Sequence, residues 1–301
     1  MRRTLEYWLA WCVLSFLGAL PRPVARATGA FVVRLAYALR PRLHRVALFN
    51  LGIAFPQMPE AERKRIVRRL VRSIGWMAGE FSQFPKYTPQ NIEKIVVLEG
   101  FENFDAARRR GKGVLFLTGH MSAWELAPFA QALYGNPLHF LVRPLDNVRV
   151  DQLINAQRCL SGNSPLDKNQ SARAMLRILG QGGTIGILAD HNAQSEEGVF
   201  VDFFSKPACT TSGIARIALR TDAAVVPGFL HWDEHMRKYR LVFHPAIELA
   251  RTGDEERDVL ATTARFNRAL EDYIRKYPDQ WLWVHKRWKT RPPGEPPLYP
   301  F

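Results

Sequence analysis

Short apolar runs alternate with amphipathic segments along most of the chain after residue 90. The strand-like runs occupy residues 94–98, 113–117, 137–142, 184–189, 223–229 and 240–247. Helix-like segments lie near residues 123–134, 147–160, 170–181 and 211–221, and a long carboxy-terminal helix is predicted from Glu255 to Tyr277. This alternation predicts an α/β fold with a mostly parallel or mixed central sheet flanked by helices.

One strongly amphipathic helix is predicted to precede the alternating region. It begins at Pro59 and Glu60, and apolar residues spaced by three and four form one stripe that we expect to be buried: Ile66, Leu70, Ile74, Met77, Phe81 and Phe84. The other face is basic, with Arg63, Lys64, Arg65, Arg68, Arg69 and Arg72. This face is either a solvated surface or a binding surface for anionic headgroups or an acidic carrier protein.

The chain divides on hydropathy into residues 1–40 and a main domain of residues 41–301. Leu5–Leu20 is apolar, but its roughly 16 residues are fewer than the ~20 that normally cross a membrane. The preceding arginines and the interfacial aromatics predict a short or partly inserted anchor with its positive side in the cytoplasm. The alternative is a signal peptide, which Pro21-Arg22-Pro23 disfavours as a cleavage context. Ala30–Leu39 is predicted to lie on the membrane or on the protein body.

Composition narrows the classes of partner. The chain has 42 Lys and Arg against 28 Asp and Glu, a net charge of +14 that suits nucleic acid, an anionic membrane or an acidic protein. No nucleic-acid-binding motif occurs, so a membrane or an acidic protein is favoured over nucleic acid. A basic surface without a specific partner is the alternative. Cys12, Cys159 and Cys209 are far apart and odd in number, which predicts reduced thiols. The dispersed histidines predict neither a metal nor a cofactor.

Polar side chains follow three of the predicted strands. His120 comes after residues 113–117, Arg143 after 137–142, and Asp190 after 184–189. Ligands of open α/β sheets bind at the carboxyl ends of the strands, so these side chains are predicted to form one site.

His120 is the strongest catalytic candidate because Glu125 follows five residues later, on the opening turn of a predicted helix. A carboxylate there can hold one imidazole nitrogen as a donor and leave the other free to accept a proton. The pair alone is a weak signal, since a histidine at a strand end is often structural.

Several longer segments make the signal specific. They are residues 119–125 (GHMSAWE), 142–147 (VRPLDN), 189–192 (ADHN), 198–204 (GVFVDFF) and the tryptophan-rich stretch 281–289. Together they resemble the late acyltransferases of lipid A biosynthesis, within the wider lysophospholipid acyltransferase superfamily. The hallmark of that superfamily is a histidine with an acidic residue five positions later. The resemblance covers nearly the whole chain and implies the same α/β fold.

The resemblance implies a membrane-associated O-acyltransferase on the cytoplasmic side of the inner membrane. Its donor is an acyl thioester, either of acyl carrier protein (ACP), which is favoured, or of CoA. Its acceptor is a hydroxyl of a lipid A precursor. His120 is expected to act as general base and Glu125 to orient it. Arg143 is expected to stabilise the oxyanion or bind a lipid phosphate, and Asp190 to bind a sugar hydroxyl or fix Arg143. Structural roles for Arg143 and Asp190, as ion-pairing residues, remain open.

Two further groups of residues are candidates for donor binding. Phe203 and Phe204 are expected to form a wall of the acyl-chain pocket, although an ordinary core position is an equal alternative. Arg108, Arg109 and Arg110 are a candidate docking surface for the acidic carrier protein, because they precede the strand that leads to His120.

Two other functions are compatible with these residues. One is acyl transfer to a different acceptor, such as a phosphatidylinositol mannoside or an aminolipid, with acyl-CoA as donor. The other is a catalytically inactive lipid-binding membrane protein, which would keep its function after His120→Ala.

Overall fold

The computed structural model describes residues 1–167 and 171–301. The α-helices of this part are α1 (Arg2–Ala19), α2 (Arg22–Ala38), α3 (Pro41–Ala54), α4 (Glu60–Ser82), α5 (Phe101–Arg109), α6 (Leu126–Leu133), α7 (Val148–Cys159), α8 (Ser171–Gly180), α9 (Gly213–Thr221) and α10 (Glu255–Lys276). The strands are β1 (Val96–Glu99), β2 (Val114–Thr118), β3 (His139–Val142), β4 (Ser164–Asp167), β5 (Thr184–Leu188), β6 (Gly198–Phe203), β7 (Lys206–Thr211), β8 (Ala224–Asp233) and β9 (Lys238–Phe243).

Seven strands form one mixed sheet in the order β1-β9-β8-β2-β5-β3-β4. Every neighbouring pair in it is parallel except β8 and β9, which are antiparallel. β6 and β7 form a separate antiparallel hairpin. The predicted α/β fold with a mostly parallel or mixed sheet is therefore confirmed.

The centre of the sheet is buried on both faces. Leu115 and Leu117 of β2 belong to one apolar cluster, and Val114 and Phe116 belong to the other. Side chains alternate between the faces of a strand, so a strand covered on both sides must be apolar at every position. This burial explains the unbroken apolar run that marked β2 in the sequence.

The sequence patterns missed some elements and misplaced some ends. α3, α5, β4 and the β6–β7 hairpin were not predicted. The helix predicted to start at residue 170 begins outside the described residues. The rest of that predicted helix coincides with α8. The other predicted helices after residue 90 coincide with α6, α7, α9 and α10. The stripe on α4 is correct in burying Ile66, Leu70 and Phe81, but the helix ends at Ser82, and Phe84 is buried from a 3₁₀ turn.

The amino-terminal helices pack closely on the main body. α2 and α4 meet through glycine, and a Cβ on Gly29 would clash with the backbone oxygen of Gly75. At Gly79 a Cβ would come within 2.8 Å of the Arg26 Cα. Glycines at a helix crossing let two backbones approach directly, so α2 is held against α4 without intervening side chains.

Buried charge reinforces this crossing. Arg22 of α2 donates to the fully buried carboxylate of Glu80 of α4 at 2.8–3.1 Å, and the Tyr87 hydroxyl donates to the same carboxylate. The Arg26 guanidinium lies 3.6 Å from the ring centre of Trp76 and 4.1 Å from that of Trp232. None of the helices in the described ranges has the length and hydropathy required to span a membrane.

We expect Gly29→Ala to destabilise the protein by about 1–3 kcal/mol, because the new methyl group meets backbone that cannot yield. Gly180→Ala is the matched control, since nothing lies within 4 Å of a Cβ at that position. The control should leave the free energy of unfolding unchanged or raise it by up to ~1 kcal/mol. Denaturant unfolding measures both, and equal stability of the two variants would contradict the close helix contact.

Candidate active site

The sheet order brings the three predicted strand ends to one edge. β2, β5 and β3 are parallel neighbours in that order, and His120, Asp190 and Arg143 follow their carboxyl ends. β8 runs parallel to β2 but continues past it, since Pro227 already pairs with Leu117 and the strand extends to Asp233. The last residues of β8 therefore reach beyond the same edge.

The Asp190 carboxylate is the centre of this site. One oxygen accepts from the His120 ring with a distance to Nδ1 of 2.8 Å, and the other accepts from the His120 backbone N–H and the Trp281 indole N–H, each at 2.7 Å. Asp190 is 1 % exposed, and burial alone would raise its pKa. The adjacent His120 outweighs burial and holds the pKa of Asp190 well below its usual range.

These hydrogen bonds determine which nitrogen of His120 carries the proton. An ionised carboxylate only accepts, so Nδ1 must be the donor to Asp190. Nε2 is then the basic nitrogen, and the His120 side chain remains 13 % exposed. The arrangement is that of a general base whose ring is oriented by a carboxylate.

Glu125 has a different partner from the one predicted. Its carboxylate accepts from Arg158 of α7, with distances of 2.8 Å to Nε and 2.6 Å to one terminal nitrogen. The two-point geometry is characteristic of a strong Arg–carboxylate pair. The sequence prediction relied on a separation of five residues, whereas Asp190 reaches His120 from the neighbouring strand. Glu125 instead connects the start of α6 to α7.

The loop that carries His120 is fixed by the carboxy-terminal segment. Met121 forms a bridge with Trp281, the Leu282 N–H donates to the His120 carbonyl at 3.2 Å, and the Ser122 N–H donates to the Gln280 carbonyl at 2.6 Å. Ser122 has a φ of 52° and is the left-handed residue of this turn. Gly119 is needed for space, because a Cβ there would lie 3.1 Å from the Asp190 carboxylate.

Two further imidazole rings stack beside His120, which forms a dyad with Asp190. His191 is parallel to His120, with ring centres 3.9 Å apart and planes within 1°, and His285 lies 4.1 Å beyond it. Trp124 contacts His120 edge-on at 5.2 Å between ring centres. His285 is anchored because its Nε2 accepts from the Asn192 N–H at 2.9 Å. The stack restricts rotation of His120 about its side-chain bonds.

His191 and His285 are neutral at neutral pH. Burial and the nearby His120 lower the pKa of His191 to about 4, although its outer edge is exposed. Burial, followed by the neighbouring His191, lowers the pKa of His285 to about 3. The Arg287 cation also disfavours protonation of both rings. Arg287 is fully buried and donates to the Cys209 carbonyl and the Thr210 hydroxyl.

His120, Asp190 and His191 also have ligand atoms within 4.8 Å of one another, a spacing that metal sites share. Parallel stacked rings direct their nitrogen lone pairs side by side rather than at a common point. The carboxylate already accepts three N–H groups. The geometry therefore suits hydrogen bonding and stacking better than tetrahedral coordination of an ion.

The remaining candidates lie in different surroundings. The Arg143 side chain is exposed at the end of β3. Phe203 and Phe204 are buried in the core, where they contact Trp281 and Trp283, and the Trp281 indole in turn donates to Asp190. Their predicted role in an acyl pocket stays a prediction.

Arg108, Arg109 and Arg110 lie at the opposite edge of the sheet from His120. They precede β2, whose five residues separate them from the catalytic edge by about 17 Å. Arg108 and Arg109 pair with Asp105, and Arg110 pairs with Asp222. Nearness in sequence was the reason for choosing these arginines, and the direction of β2 removes it. Carrier-protein docking at this cluster stays a prediction.

Trp281, His285 and Asn192 were not predicted as site residues. Asn192 lies two residues after Asp190, and its placement beside the strand end was a usable signal. Trp281 and His285 lie more than 90 residues after Asp190, and their family-like segment was the one available indication.

The fold and the site define an α/β protein that carries a carboxylate-oriented histidine at the carboxyl edge of its sheet. The chain belongs to the bacterial lipid A biosynthesis acyltransferase family, whose model matches residues 1–290. It is 29 % identical over 298 residues to a lipid A biosynthesis lauroyltransferase of Escherichia coli K12, covering 98 % of this chain and 95 % of the relative. A palmitoleoyltransferase of the same organism is 27 % identical with the same coverage. The E. coli K12 myristoyltransferase is 26 % identical over 96 % of this chain and 90 % of its own length. The protein is therefore an acyltransferase.

The protein should become less stable as the pH is lowered below about 6.5, because of the stacked histidines. The unfolded chain protonates His285 near its ordinary pKa of ~6.5, whereas the folded protein does so only near pH 3. Between these values the unfolded state binds the extra proton, so the free energy of unfolding decreases as pH falls. We expect His285→Gln to reduce this slope by up to ~1.4 kcal/mol per pH unit between pH 6 and 4.

The measurement is denaturant unfolding at several pH values. The glutamine oxygen can still accept the Asn192 N–H, so the hydrogen bond itself is retained. His235→Gln, in an exposed turn, controls for the loss of a histidine and should keep the wild-type slope. An unchanged slope in His285→Gln would show that His285 is not held neutral.

Proposed function

We propose that the protein transfers a fatty acyl group from an acyl thioester, with acyl-ACP as donor, to a hydroxyl of a lipid A precursor. The observation that carries the proposal is the His120–Asp190 pair, which leaves Nε2 of the imidazole free to accept a proton. The relatives named above are all lipid A biosynthesis acyltransferases, which supports a lipid A acceptor. We further propose that the reaction takes place at the cytoplasmic side of the inner membrane.

In this mechanism His120 Nε2 removes the proton of the acceptor hydroxyl as its oxygen attacks the thioester carbonyl. A tetrahedral oxyanion forms and then collapses with cleavage of the C–S bond. The leaving thiolate takes the proton from the imidazolium, so the base is regenerated and no external acid is consumed. Asp190 stabilises the transient imidazolium and keeps Nδ1 protonated throughout.

Two arginines are candidates for stabilising the developing negative charge. Arg143 is exposed at the end of β3, and its guanidinium suits a phosphate or an oxyanion. Arg158 is half-buried, and Glu125 fixes its guanidinium in one orientation. We propose that Glu125 acts through Arg158, as a positioning residue, rather than directly on His120.

We expect His120→Ala to lower the rate of acyl transfer by about 10²–10⁴-fold, the usual contribution of a general base. Asp190→Asn should also lose most activity, because an amide can donate to Nδ1 and so favour the wrong tautomer. Glu125→Gln should keep the wild-type pH–rate profile, since it leaves the dyad intact. Mass spectrometry of the lipid product, with a Kdo-bearing lipid A precursor and acyl-ACP or acyl-CoA, measures each rate.

His139→Ala is the matched control, because His139 starts β3 at the opposite edge of the sheet. It should retain wild-type activity. Absence of a product one acyl group heavier with every donor would reject the proposed reaction. A changed pH profile in Glu125→Gln together with an unchanged profile in Asp190→Asn would instead assign the orienting role to Glu125.

An exposed apolar surface supports the proposed membrane association. Among exposed large hydrophobic residues of the described chain, most lie within the first 39 positions, including Trp8, Phe16, Phe31 and Leu35 at 53–69 % exposure. Apolar area of this extent, carried by helices too short or too polar to cross, suits burial at the membrane interface. The basic net charge adds attraction to anionic lipid.

This surface continues toward the active site. The Asn147 side chain donates to the Arg3 carbonyl at 2.7 Å and to the Glu6 carboxylate at 2.9 Å, which joins α1 to the loop that follows Arg143. Leu145 and Val148, on either side of Asn147, are themselves exposed. A lipid held against α1 would therefore lie next to the catalytic edge.

We expect the double variant Phe16→Glu/Phe31→Glu to bind anionic phospholipid vesicles at least about tenfold more weakly, because two exposed phenyl groups that would enter the membrane are replaced by carboxylates. Met236→Glu/Leu260→Glu is the matched control, since it introduces the same two charges at exposed apolar positions outside α1 and α2. Vesicle flotation measures both. Equal binding of the double variant and the control would reject α1 and α2 as the membrane-binding surface.

A further inference from the structure

A small cavity lies beside the catalytic loop and has no role in the dyad. Its volume is about 210 Å³, and its lining includes Arg69, Arg72, Trp76, Trp232, Asp279 and Gln280. Pockets that take whole drug-sized ligands usually measure ~300–1,000 Å³, so this cavity is the size of one headgroup rather than an acyl chain. Its walls combine guanidinium, carboxylate, amide and indole groups, a set suited to a ligand with both an anion and hydroxyls.

The cavity and the catalytic loop share one segment of chain. Asp279 and Gln280 line the cavity, while the next residue, Trp281, donates to Asp190. The Gln280 carbonyl accepts from Ser122, two residues after His120. The Leu282 N–H donates to the His120 carbonyl, so Gln280 lies within about 12 Å of the His120 ring.

The floor of the cavity is fixed independently of any ligand. The Gln280 side chain bonds both the backbone N–H and the carbonyl of Trp232, at 2.7 and 3.0 Å. The buried Arg26 guanidinium is stacked on Trp76 and Trp232 and adds a positive charge beneath the floor. Trp232 belongs to the part of β8 that extends past β2, so the cavity opens near the catalytic edge of the sheet.

The two arginines at the rim retain free donors. Arg69 meets Asp279 at 3.3 Å and Arg72 meets Glu234 at 3.0 Å, and both arginine side chains are about half exposed. Each guanidinium has five N–H donors, and one contact leaves most of them available. A phosphate or carboxylate can be bound by these donors, and the two acidic side chains can accept from sugar hydroxyls.

We propose that this cavity binds the anionic sugar headgroup of the acyl acceptor, a saccharide that bears a phosphate or a carboxylate. The assignment rests on the proposed function, because it names the acceptor group that the same enzyme holds while His120 acts on a hydroxyl. A recessed cavity of this size admits a headgroup but not the surface of a carrier protein. On the basic face of α4, Arg69 and Arg72 would thus bind the acceptor headgroup rather than a carrier protein.

The kinetic test compares two double variants with the same loss of charge. Arg69→Gln/Arg72→Gln should raise the KM for the lipid acceptor at least about tenfold, since two charge-assisted contacts are lost. The KM for the acyl donor and kcat should stay within about twofold of wild type. Arg216→Gln/Arg251→Gln is the control, because these exposed arginines pair with Glu255 and Asp222 away from the cavity. A rise in the donor KM alone, or equal effects in the two variants, would overturn the proposal.

A binding test keeps the proposal separate from catalysis. Tryptophan fluorescence is followed while glucosamine 1-phosphate, glucuronate, unphosphorylated glucosamine or inorganic phosphate is added to the wild type and to the Arg69→Gln/Arg72→Gln variant. Saturable changes with the two anionic sugars, weak in the variant and absent with glucosamine, support the site. Equal responses to inorganic phosphate and to the sugars would reduce it to a simple anion site and overturn the saccharide assignment. If wild type binds these sugars but acylates no lipid A precursor, the reaction assignment fails while the cavity assignment stands.

Discussion

The arrangement of the catalytic edge depends on one buried carboxylate. Asp190 accepts from the ring of His120, from its backbone N–H and from the indole of Trp281, so a single side chain joins the ends of β2 and β5 to the carboxy-terminal segment. An ionised group with almost no solvent contact is stable only when its lone pairs are satisfied, and here three N–H groups do so. Removing any one of these donors would weaken both the fold of the loop and the orientation of the His120 ring.

The sequence predicted the layers of this protein better than its contacts. β2 and β5 were recognisable because burial on both faces demands apolar residues at every position, and the direction of parallel strands brings His120, Asp190 and Arg143 to one edge. The pairing of His120 with Asp190 could not be read from spacing, because 70 residues separate them and a strand neighbour, not a chain neighbour, supplies the carboxylate. The same limit applies to Trp281 and His285. The β6–β7 hairpin was missed because its buried residues contact α10 and the tryptophan cluster rather than forming a regular alternation.

Electrostatics distinguish His120 from its two stacked neighbours. Burial and the Arg287 cation disfavour a positive charge on His191 and His285, whereas the His120 ring hydrogen-bonds directly to the Asp190 carboxylate. In the proposed mechanism a proton taken from the acceptor therefore remains on the ring that must later deliver it to the leaving group. The neutral His191 face at 3.9 Å can also stabilise the transient imidazolium through its π electrons. Three similar side chains thus have unequal roles that follow from their surroundings.

The glycine crossing of α2 and α4 has a consequence for where on a lipid the enzyme can act. Because Gly29 and Gly75 leave no space between the two backbones, α2 cannot tilt against α4 without breaking the contact. If a membrane holds the apolar face of α1 and α2, His120 is kept at one height relative to the lipid surface. Only a hydroxyl exposed at that height would meet the base. The choice of acceptor hydroxyl would then depend on the distance between the membrane-bound helices and His120, which the whole fold sets.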